Sequence, residues 1–427
     1  MSIPGSFRSY ADRIERYNAS LHAFLDLRLE DAEAEAAAAA ARAKNGQLLS
    51  VIDGWCIGIK ANIAVSGLPH HAGIGAYRDV IAQSDAEIVS RLKAAGAVIL
   101  GTLNMHEGAL GATTDNEAFG RTHNPWRHGF TPGGSSGGSG AAVSAALCDV
   151  ALGSDTMGSV RIPSAYCGIQ GHKPTTGLVS NDGVLALSHT LDHVGPHARR
   201  VTHLAATLGV LSEQSITLNE TDVSSLKFGL WDGAGDVDLD HEVEAGFSAA
   251  IERIRESGGK TAPITPPVYD YGKSRRAGLL VSEVEGAAIH EKRLAADPDG
   301  FSPMFRKLLK WGAGRPTADI EAVYDHVAAV RRAAPAAFDD VDFILAPTAP
   351  QSAFSFDQDA SANQADFTAW ANFAALPATA VFTGLSGDGL PLSLQVIGPE
   401  GRDVETLSVA AALEAVFGAP PMPPGFT

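Results

Sequence analysis

Residues 131–166 constrain the chain more than any other stretch, because they are built almost entirely from small side chains. Two glycine- and serine-rich runs, residues 133–140 and 153–159, flank the apolar segment 141–152. Small residues let consecutive backbone N–H groups converge in a concavity that suits an anion. A flexible linker is the simpler interpretation of the first run, but linkers rarely pass straight into an apolar helix. We therefore predict two loops whose shape is set by the backbone, each of which presents one functional serine.

An upstream lysine, Lys60, is the third candidate functional residue. It lies within residues 55–64, an apolar and strand-like segment, between Ile59 and Ile63. Most lysines are solvated surface charges, and that interpretation stays open at this point. Inside a buried strand, however, desolvation lowers the pKa of the amine and favours its neutral form. A serine nucleophile needs a base, an oxyanion hole and a fixed backbone. We therefore expect Lys60 to act as the base for the two serines.

Hydrophobic patterns along the rest of the chain predict an α/β fold. Residues 84–95 have the pattern of an amphipathic helix, and the buried strand 97–100 follows them. This alternation indicates a central mixed, twisted β-sheet covered by α-helices on both faces. The other predicted elements are helical segments at residues 6–44, 141–146, 241–257, 269–337 and 404–417, and strands at 150–152, 226–231, 343–345 and 392–397.

The length of 427 residues allows two domains. We find neither an internal repeat nor a clear linker, so we predict a single domain, residues 1–427. Its predicted parts are N-terminal helices (1–50), a catalytic core (51–210), a variable helical region (211–340) and the C-terminal part of the core (341–427).

Charge and cysteine content narrow the function classes. The formal net charge of −17 argues against nucleic-acid binding, which needs clustered Lys and Arg. Cys56, Cys148 and Cys167 form no CxxC pair, and we interpret them as buried thiols in a reducing compartment. No apolar signal segment opens the sequence and no run reaches about 18 apolar residues, so we expect a cytoplasmic protein without membrane contact.

Two other patterns offer alternative chemistry. Residues 133–137 match G-x-S-x-G, which would make Ser135 the nucleophile of a Ser-His-Asp esterase. That elbow needs a strand directly before it, and residues 121–132 have the composition of a loop. Three histidines follow at four-residue spacing: His189, His193 and His197. A Gly-Pro pair between the last two breaks any helix that would align them on a metal, so we expect neither metal nor cofactor.

The small-residue runs resemble motifs of the amidase signature family of serine hydrolases. The family's glycine/serine motif is similar to residues 133–139, GGSSGGS, and its nucleophile motif to residues 153–163, GSDTMGSVRIP. Shorter signatures agree at residues 104–107, 124–126, 171–174, 190–192, 195–196, 389–391 and 395–398. The resemblance covers most of the chain and implies the amidase-signature fold.

The resemblance implies a Ser–cis-Ser–Lys triad. Ser159 would be the nucleophile, Ser135 the bridging serine after a cis peptide bond, and Lys60 the terminal base. The implied oxyanion hole consists of the backbone N–H groups of Thr156, Met157, Gly158 and Ser159. The candidate substrate-binding residues are Met105, Gly134, Met157 and Arg161. For the last of these, a structural ion pair is the interpretation that we favour.

The implied reaction is hydrolysis of an amide C–N bond in a small molecule, with carbamates (urethanes) and esters as further candidates. Met157 and Ala61 depart from the family's usual Gly and Asp. We expect residues 269–337 and the loops around His70 and Met157 to set the substrate. A tRNA-dependent amidotransferase subunit is an alternative within the family, but it works with partner chains and typically carries Gln in place of Ile162. A non-catalytic binding protein is disfavoured by the intact triad, and a homodimer is a candidate assembly.

Overall fold

One mixed β-sheet of eleven strands runs through the residues that the computed structural model describes, 6–233 and 235–426. In chain order the strands are β1 (Phe24–Leu27), β2 (Cys56–Lys60), β3 (Val98–Leu103), β4 (Val150–Asp155), β5 (Gln170–Lys173), β6 (His193–Ala198), β7 (Lys227–Leu230), β8 (Lys260–Pro263), β9 (Phe343–Pro347), β10 (Ala378–Leu385) and β11 (Pro391–Ile397). Across the sheet their order is β1-β3-β2-β4-β6-β5-β10-β11-β9-β7-β8.

Helices pack on this sheet. In chain order they are α1 (Phe7–Leu21), α2 (Leu29–Lys44), α3 (Glu87–Ala94), α4 (Gly137–Ser144), α5 (Arg161–Cys167), α6 (Val201–Ser212), α7 (His241–Glu256), α8 (Tyr271–Ala296), α9 (Pro303–Ala313), α10 (Thr317–Ala333), α11 (Ala369–Phe373) and α12 (Asp403–Phe417). None of the helices in the described residues is long and apolar enough to cross a membrane.

Successive residues of β2 face opposite sides of the sheet, as the period of a strand requires. Ile57 and Ile59 belong to the apolar core shared with α3, α6, α7 and α12. Cys56 belongs to a second core, formed with α1 and α4. The predicted fold class, a mixed sheet with helices on both faces, is therefore confirmed.

Parallel pairing of β2 with β4 brings Lys60 and the second small-residue run to the same edge of the sheet. Ile57 pairs with Val150 and Ile59 with Leu152, and both strands run in the same direction. The carboxyl ends of parallel strands lie at one edge of a sheet, where α/β proteins place their ligands. Lys60 ends β2 at this edge, and the second small-residue run leaves β4 beside it.

Three sequence predictions need correction. Residues 6–44 are not one helical segment, since the strand β1 separates α1 from α2. The strand predicted at 150–152 extends to Asp155, because β4 pairs antiparallel with β6 along its full length. That partner strand was not predicted, as it contains Gly195 and Pro196. The glycine is required there because a Cβ would lie 2.1 Å from the carbonyl oxygen of His172.

The four predicted segments of the chain all contribute strands to the one sheet. The region predicted as helical, 211–340, supplies β7 and β8 as well as α7 to α10. Its charged part, residues 269–337, folds into three long helices, of which α8 is the one that reaches the functional site. The single domain and its internal boundaries stay predictions. The three cysteines are free and buried.

Candidate active site

Lys60 lies at the centre of a buried polar cluster. Its amine is 2.7 Å from Ser135 Oγ and 2.9 Å from Ser154 Oγ. Asn62 Nδ2 also donates to Ser154 Oγ, at 3.1 Å. Burial lowers the pKa of the Lys60 amine to about 7, although the negative charges of Asp192 and Asp155 act to raise it. Lys60 is thus the desolvated lysine that its strand pattern suggested, and it contacts Ser135 directly.

Ser135 lies just before α4, and the peptide bond between Gly134 and Ser135 is cis. The main-chain oxygen of Ser135 accepts a hydrogen bond from His106 N at 3.0 Å. Gly134 packs against backbone, since a Cβ there would lie 2.7 Å from Thr113 N. No strand directly precedes Ser135, and its hydroxyl contacts Lys60. The alternative of a nucleophile elbow at Ser135 is therefore wrong.

Asp155 shapes the turn that carries Ser159. Its carboxylate accepts hydrogen bonds from Gly158 N at 2.7 Å and Val160 N at 3.1 Å, which closes the chain around it. Arg161 donates to the same carboxylate through Nε and Nη2. Burial acts to raise the pKa of Asp155, but the Arg161 charge outweighs it and holds the pKa well below its usual range. A permanently charged acceptor thus fixes the loop.

This turn corrects one sequence prediction, for Gly158, and agrees with the interpretation that we favoured for Arg161 over substrate binding. Gly158 N–H donates to Asp155, so it is not available to an oxyanion, and the remaining candidate donors are the N–H groups of Thr156, Met157 and Ser159. Arg161 is fully buried and makes an ion pair with Asp155. Its other hydrogen bonds go to Gln395 Oε1 at 2.9 Å and Asn372 Oδ1 at 2.7 Å. The arrangement is that of a structural ion pair and not of a substrate anchor.

Ser159 is 9% exposed and opens onto a cavity of about 190 Å³. The lining residues are Ala109, Leu110, Gly111, Ala112, Thr156, Met157, Ser159, Ile162, Leu187, Arg275, Leu279, Ser282, Ser361, Ala362, Gln364 and Ala365. Met157 was predicted to contact substrate and is among them, whereas Met105, Gly134 and Arg161 are not. His70 does not line the cavity either; its Nε2 is hydrogen-bonded to the main-chain oxygen of Asn62 at 2.9 Å.

A second buried acid, Asp192, connects the loops on the β4 side of the cavity. Thr156 Oγ1 donates to Asp192 Oδ1 at 2.6 Å. The other carboxylate oxygen accepts from Leu187 N and Ser188 N, at 2.8 and 3.1 Å. Burial raises the pKa of Asp192. Sequence analysis treated this residue only as part of a flanking signature, and the structure makes it the support of Thr156.

The wall opposite β4 comes from residues that sequence analysis did not name. Arg275, Leu279 and Ser282 lie on one face of α8, and residues 361–365 form the adjoining loop. The segment 269–337 was expected to affect the substrate, but its helical pattern does not reveal which turn of which helix reaches the cavity.

The three spaced histidines do not share a helix. His193 and His197 lie on β6. His193 Nε2 is 2.6 Å from Thr176 Oγ1, and His197 Nδ1 is 2.9 Å from Ser164 Oγ. Among the described residues, no group of three or more His, Cys, Asp or Glu side chains is arranged to hold a metal ion.

Comparison with known proteins agrees with this geometry, because the sequence model of the amidase family matches residues 6–407. The chain belongs to the amidase family. It is 35% identical to a glutamyl-tRNA(Gln) amidotransferase subunit from Anaeromyxobacter sp. (strain K), over 96% of this chain and 92% of that protein.

Solved structures resemble this member of the amidase family over nearly its whole length. A crystal structure described as an amidase superposes with a TM-score of 0.90 at 30% identity, covering 96% of this chain and 95% of the other. The substrate complex of 6-aminohexanoate cyclic dimer hydrolase superposes with a TM-score of 0.84 at 26% identity, covering 96% and 93%. The amidase-signature fold is thereby established, and with it membership of a family of enzymes that act on C–N bonds.

Proposed function

We propose that this protein is a hydrolase that cleaves the C–N bond of a small amide through an acyl-enzyme on Ser159. The observation that carries the proposal is the 2.7 Å contact between the desolvated Lys60 amine and Ser135 Oγ, at the edge of the sheet where Ser159 opens onto a cavity. A nucleophilic serine requires a base that is unprotonated at the working pH. Lys60, with a pKa lowered to about 7, meets that requirement.

Protons move along the line Ser159, Ser135, Lys60 in the proposed first step. Neutral Lys60 takes a proton from Ser135 Oγ, which takes one from Ser159 Oγ as that oxygen attacks the amide carbonyl carbon. The tetrahedral intermediate collapses, the C–N bond breaks, and the relay returns a proton to the leaving amine. Water then attacks the acyl-enzyme by the same route and releases the carboxylic acid, so Lys60 ends the cycle neutral.

The turn between β4 and α5 would stabilise the negative charge that develops on the carbonyl oxygen. The N–H groups of Thr156, Met157 and Ser159 are the candidate donors, with Asp155 and Asp192 fixing the segment from either side. Preorganised donors of this kind contribute about 10²–10³-fold to turnover. In this proposal Gly158 contributes backbone geometry instead of a hydrogen bond: its φ is +132°, and a Cβ would lie 2.2 Å from Thr368 Oγ1.

A fluorophosphonate probe followed by peptide mapping tests this proposal. We expect the folded protein to be labelled at Ser159 and the Ser159→Ala variant to remain unlabelled. Ser139→Ala is the matched control, because Ser139 is also buried and lies in the first small-residue run, but donates to Leu152 O at 2.9 Å. Absence of labelling in the wild type, or labelling that persists in Ser159→Ala, would refute the proposed nucleophile.

An amidotransferase subunit is the second candidate function, favoured by the similarity to subunits of glutamyl-tRNA(Gln) amidotransferases. Under that alternative, the chain would release ammonia from glutamine only when a partner chain is present. The presence of Ile162 in the cavity lining supports the hydrolase. The purified chain alone should hydrolyse p-nitroanilides, simple aliphatic amides or carbamates. A chain that is inactive on all of them, but gains glutaminase activity with a copurifying partner, would favour the amidotransferase. The homodimer also remains a proposal.

A further inference from the structure

The cavity next to Ser159 carries almost no charge. Of the sixteen described residues that line it, Arg275 is the one with a charged side chain. The others are apolar, glycine, or the uncharged polar residues Thr, Ser and Gln. A volume of about 190 Å³ is small beside the roughly 300–1,000 Å³ of sites for drug-sized ligands. The group that fits here is therefore small and has few polar atoms to satisfy.

Arg275 is already paired. Its Nη1 donates to both carboxylate oxygens of Asp366, at 2.6 and 2.7 Å. The Arg275 side chain is 24% exposed and lines the cavity, whereas that of Asp366 is only 4% exposed and does not line it. Asp366 is itself held in place, because its main-chain oxygen accepts a hydrogen bond from Tyr269 Oη at 2.7 Å.

We propose that the cavity selects an uncharged, apolar substrate group, and that Asp366 enforces the selection by neutralising the charge of Arg275. This inference rests on the proposed function. Asp366 is a positioning residue in this account, since it acts through Arg275 and does not line the cavity.

The physical reason is desolvation. A carboxylate that enters the cavity loses its hydration, a cost that only a partner charge offsets. The Arg275–Asp366 pair carries no net charge, and the Asp366 carboxylate repels a second anion, although only Nη1 of the guanidinium bonds to it. An ammonium group would find no acidic side chain among the described lining residues. The same reasoning disfavours the zwitterionic end of free glutamine, so the inference also separates the two candidate functions.

The test compares two pairs of substrates that differ by one carboxylate. The first pair is the p-nitroanilide of butyric acid against that of succinic acid. The second is N-benzylbutyramide against N-(4-carboxybenzyl)butyramide, which places the charge on the amine side. In at least one pair, we expect kcat/KM of the wild type to be at least tenfold higher for the neutral member. In the other pair, kcat/KM should not be higher for the carboxylate member. A preference for the carboxylate in either pair, or equal rates in both, would overturn the inference.

The Asp366→Asn variant tests the role of the ion pair. Without the Asp366 charge, the ratio of kcat/KM for the neutral substrate to kcat/KM for the carboxylate substrate should fall at least fivefold. The main cause should be a lower KM for the carboxylate substrate. Glu283→Gln is the matched control, because Glu283 is 2% exposed and pairs with Arg276 on the same helix at 3.1 Å, away from the cavity. That variant should keep the wild-type ratio. An unchanged ratio in folded Asp366→Asn, or an equal change in Glu283→Gln, would overturn the role of Asp366.

Arg275→Gln is a second variant, needed if Asp366→Asn fails to fold. It removes the charge from the cavity, so we expect the preference for neutral substrates to persist; a gain in activity on the carboxylates would overturn the inference. Failure of the proposed function has a different signature: no amide in either pair is hydrolysed, and the fluorophosphonate probe does not label Ser159. Labelled enzyme that prefers carboxylates overturns the selectivity alone.

Discussion

The two walls of the cavity are built differently. The first wall is the turn after β4, with Thr156, Met157 and Ser159. Behind it lie Lys60, Ser135 and Asp155, which do not line the cavity and are fully buried and hydrogen-bonded within the loops that they support. The wall formed by α8 and residues 361–365 presents half-buried side chains such as Leu279 and Arg275. A buried polar network tolerates change poorly, whereas a half-buried side chain can be exchanged at little cost. We therefore propose that the first wall and the residues behind it carry the chemistry, and that the second wall selects the substrate.

The largest expected effect on activity comes from removing the Lys60 amine, which lies behind the first wall. In Lys60→Met we expect kcat/KM to fall by about 10³-fold, within the ~10²–10⁴-fold range of general acid–base catalysis. The free energy of unfolding should stay the same or rise, because a desolvated amine is replaced by an apolar side chain of similar length. Steady-state kinetics and urea denaturation measure the two quantities.

Lys173→Met is the matched control for that variant. Lys173 is also fully buried, and its pKa is likewise lowered to about 7 by burial. Its amine, however, donates to the main-chain oxygen of Pro174 at 2.7 Å and does not contact Ser135. Activity should therefore survive. An equal loss of kcat/KM in both variants would mean that activity depends on buried lysines in general. It would contradict the specific role given to Lys60 behind the first wall.

The ion pair behind the first wall should have the next largest effect, this time on stability. Asp155→Asn leaves Arg161 buried without a counter-charge, which typically costs about 3–5 kcal/mol in the free energy of unfolding. Glu400→Gln removes an ion pair with Arg331 whose side chains are both about half exposed, and should cost less than about 1 kcal/mol. Similar losses in urea denaturation of the two variants would contradict the role given to Asp155.

The smallest effect is expected on the second wall. Leu279→Ala removes apolar contact with the substrate and should lower kcat/KM for apolar amides about tenfold, since lost methylene contacts in a pocket are worth about 1–3 kcal/mol. The rate of labelling by a small fluorophosphonate should not change, because the serines are untouched. Leu294→Ala, also half-buried on α8 but away from the cavity, should alter neither quantity. A fall in the labelling rate of Leu279→Ala would show that the walls are not separable.

The sequence predicted the residues of the first wall, and those behind it, much better than the residues of the second wall. Local patterns pointed to the two small-residue loops and to Lys60 in its apolar strand, and the resemblance to the amidase signature family selected Ser135 and Ser159 within those loops. Asp155 belongs to the second small-residue run, and its carboxylate accepts two backbone N–H groups. The sequence could not show that one of these groups is Gly158 N–H, which removes that residue from the oxyanion donors.

The second wall escaped prediction because its residues carry no local signal. The sequence around Arg275 and Leu279 has the pattern of an ordinary amphipathic helix. Only the packing of α8 decides which of its faces lines the cavity. The pairing of Arg275 with Asp366 joins residues far apart in the chain. Strand β6 was missed for a related reason: Gly195 and Pro196 disfavour a strand locally, yet pairing with β4 and β5 imposes it.

The central claim is that a neutral Lys60 activates Ser159 through Ser135, and the pH dependence of fluorophosphonate labelling tests it most directly. The lowered pKa of Lys60, about 7, means that its amine is protonated below that pH and free to accept a proton above it. We therefore expect the labelling rate of Ser159 to rise with pH, with a midpoint near 7. In Lys60→Met the rate should be low and show no such midpoint. A wild-type rate that does not change between pH 5.5 and 9, or the same midpoint in Lys60→Met, would contradict the account.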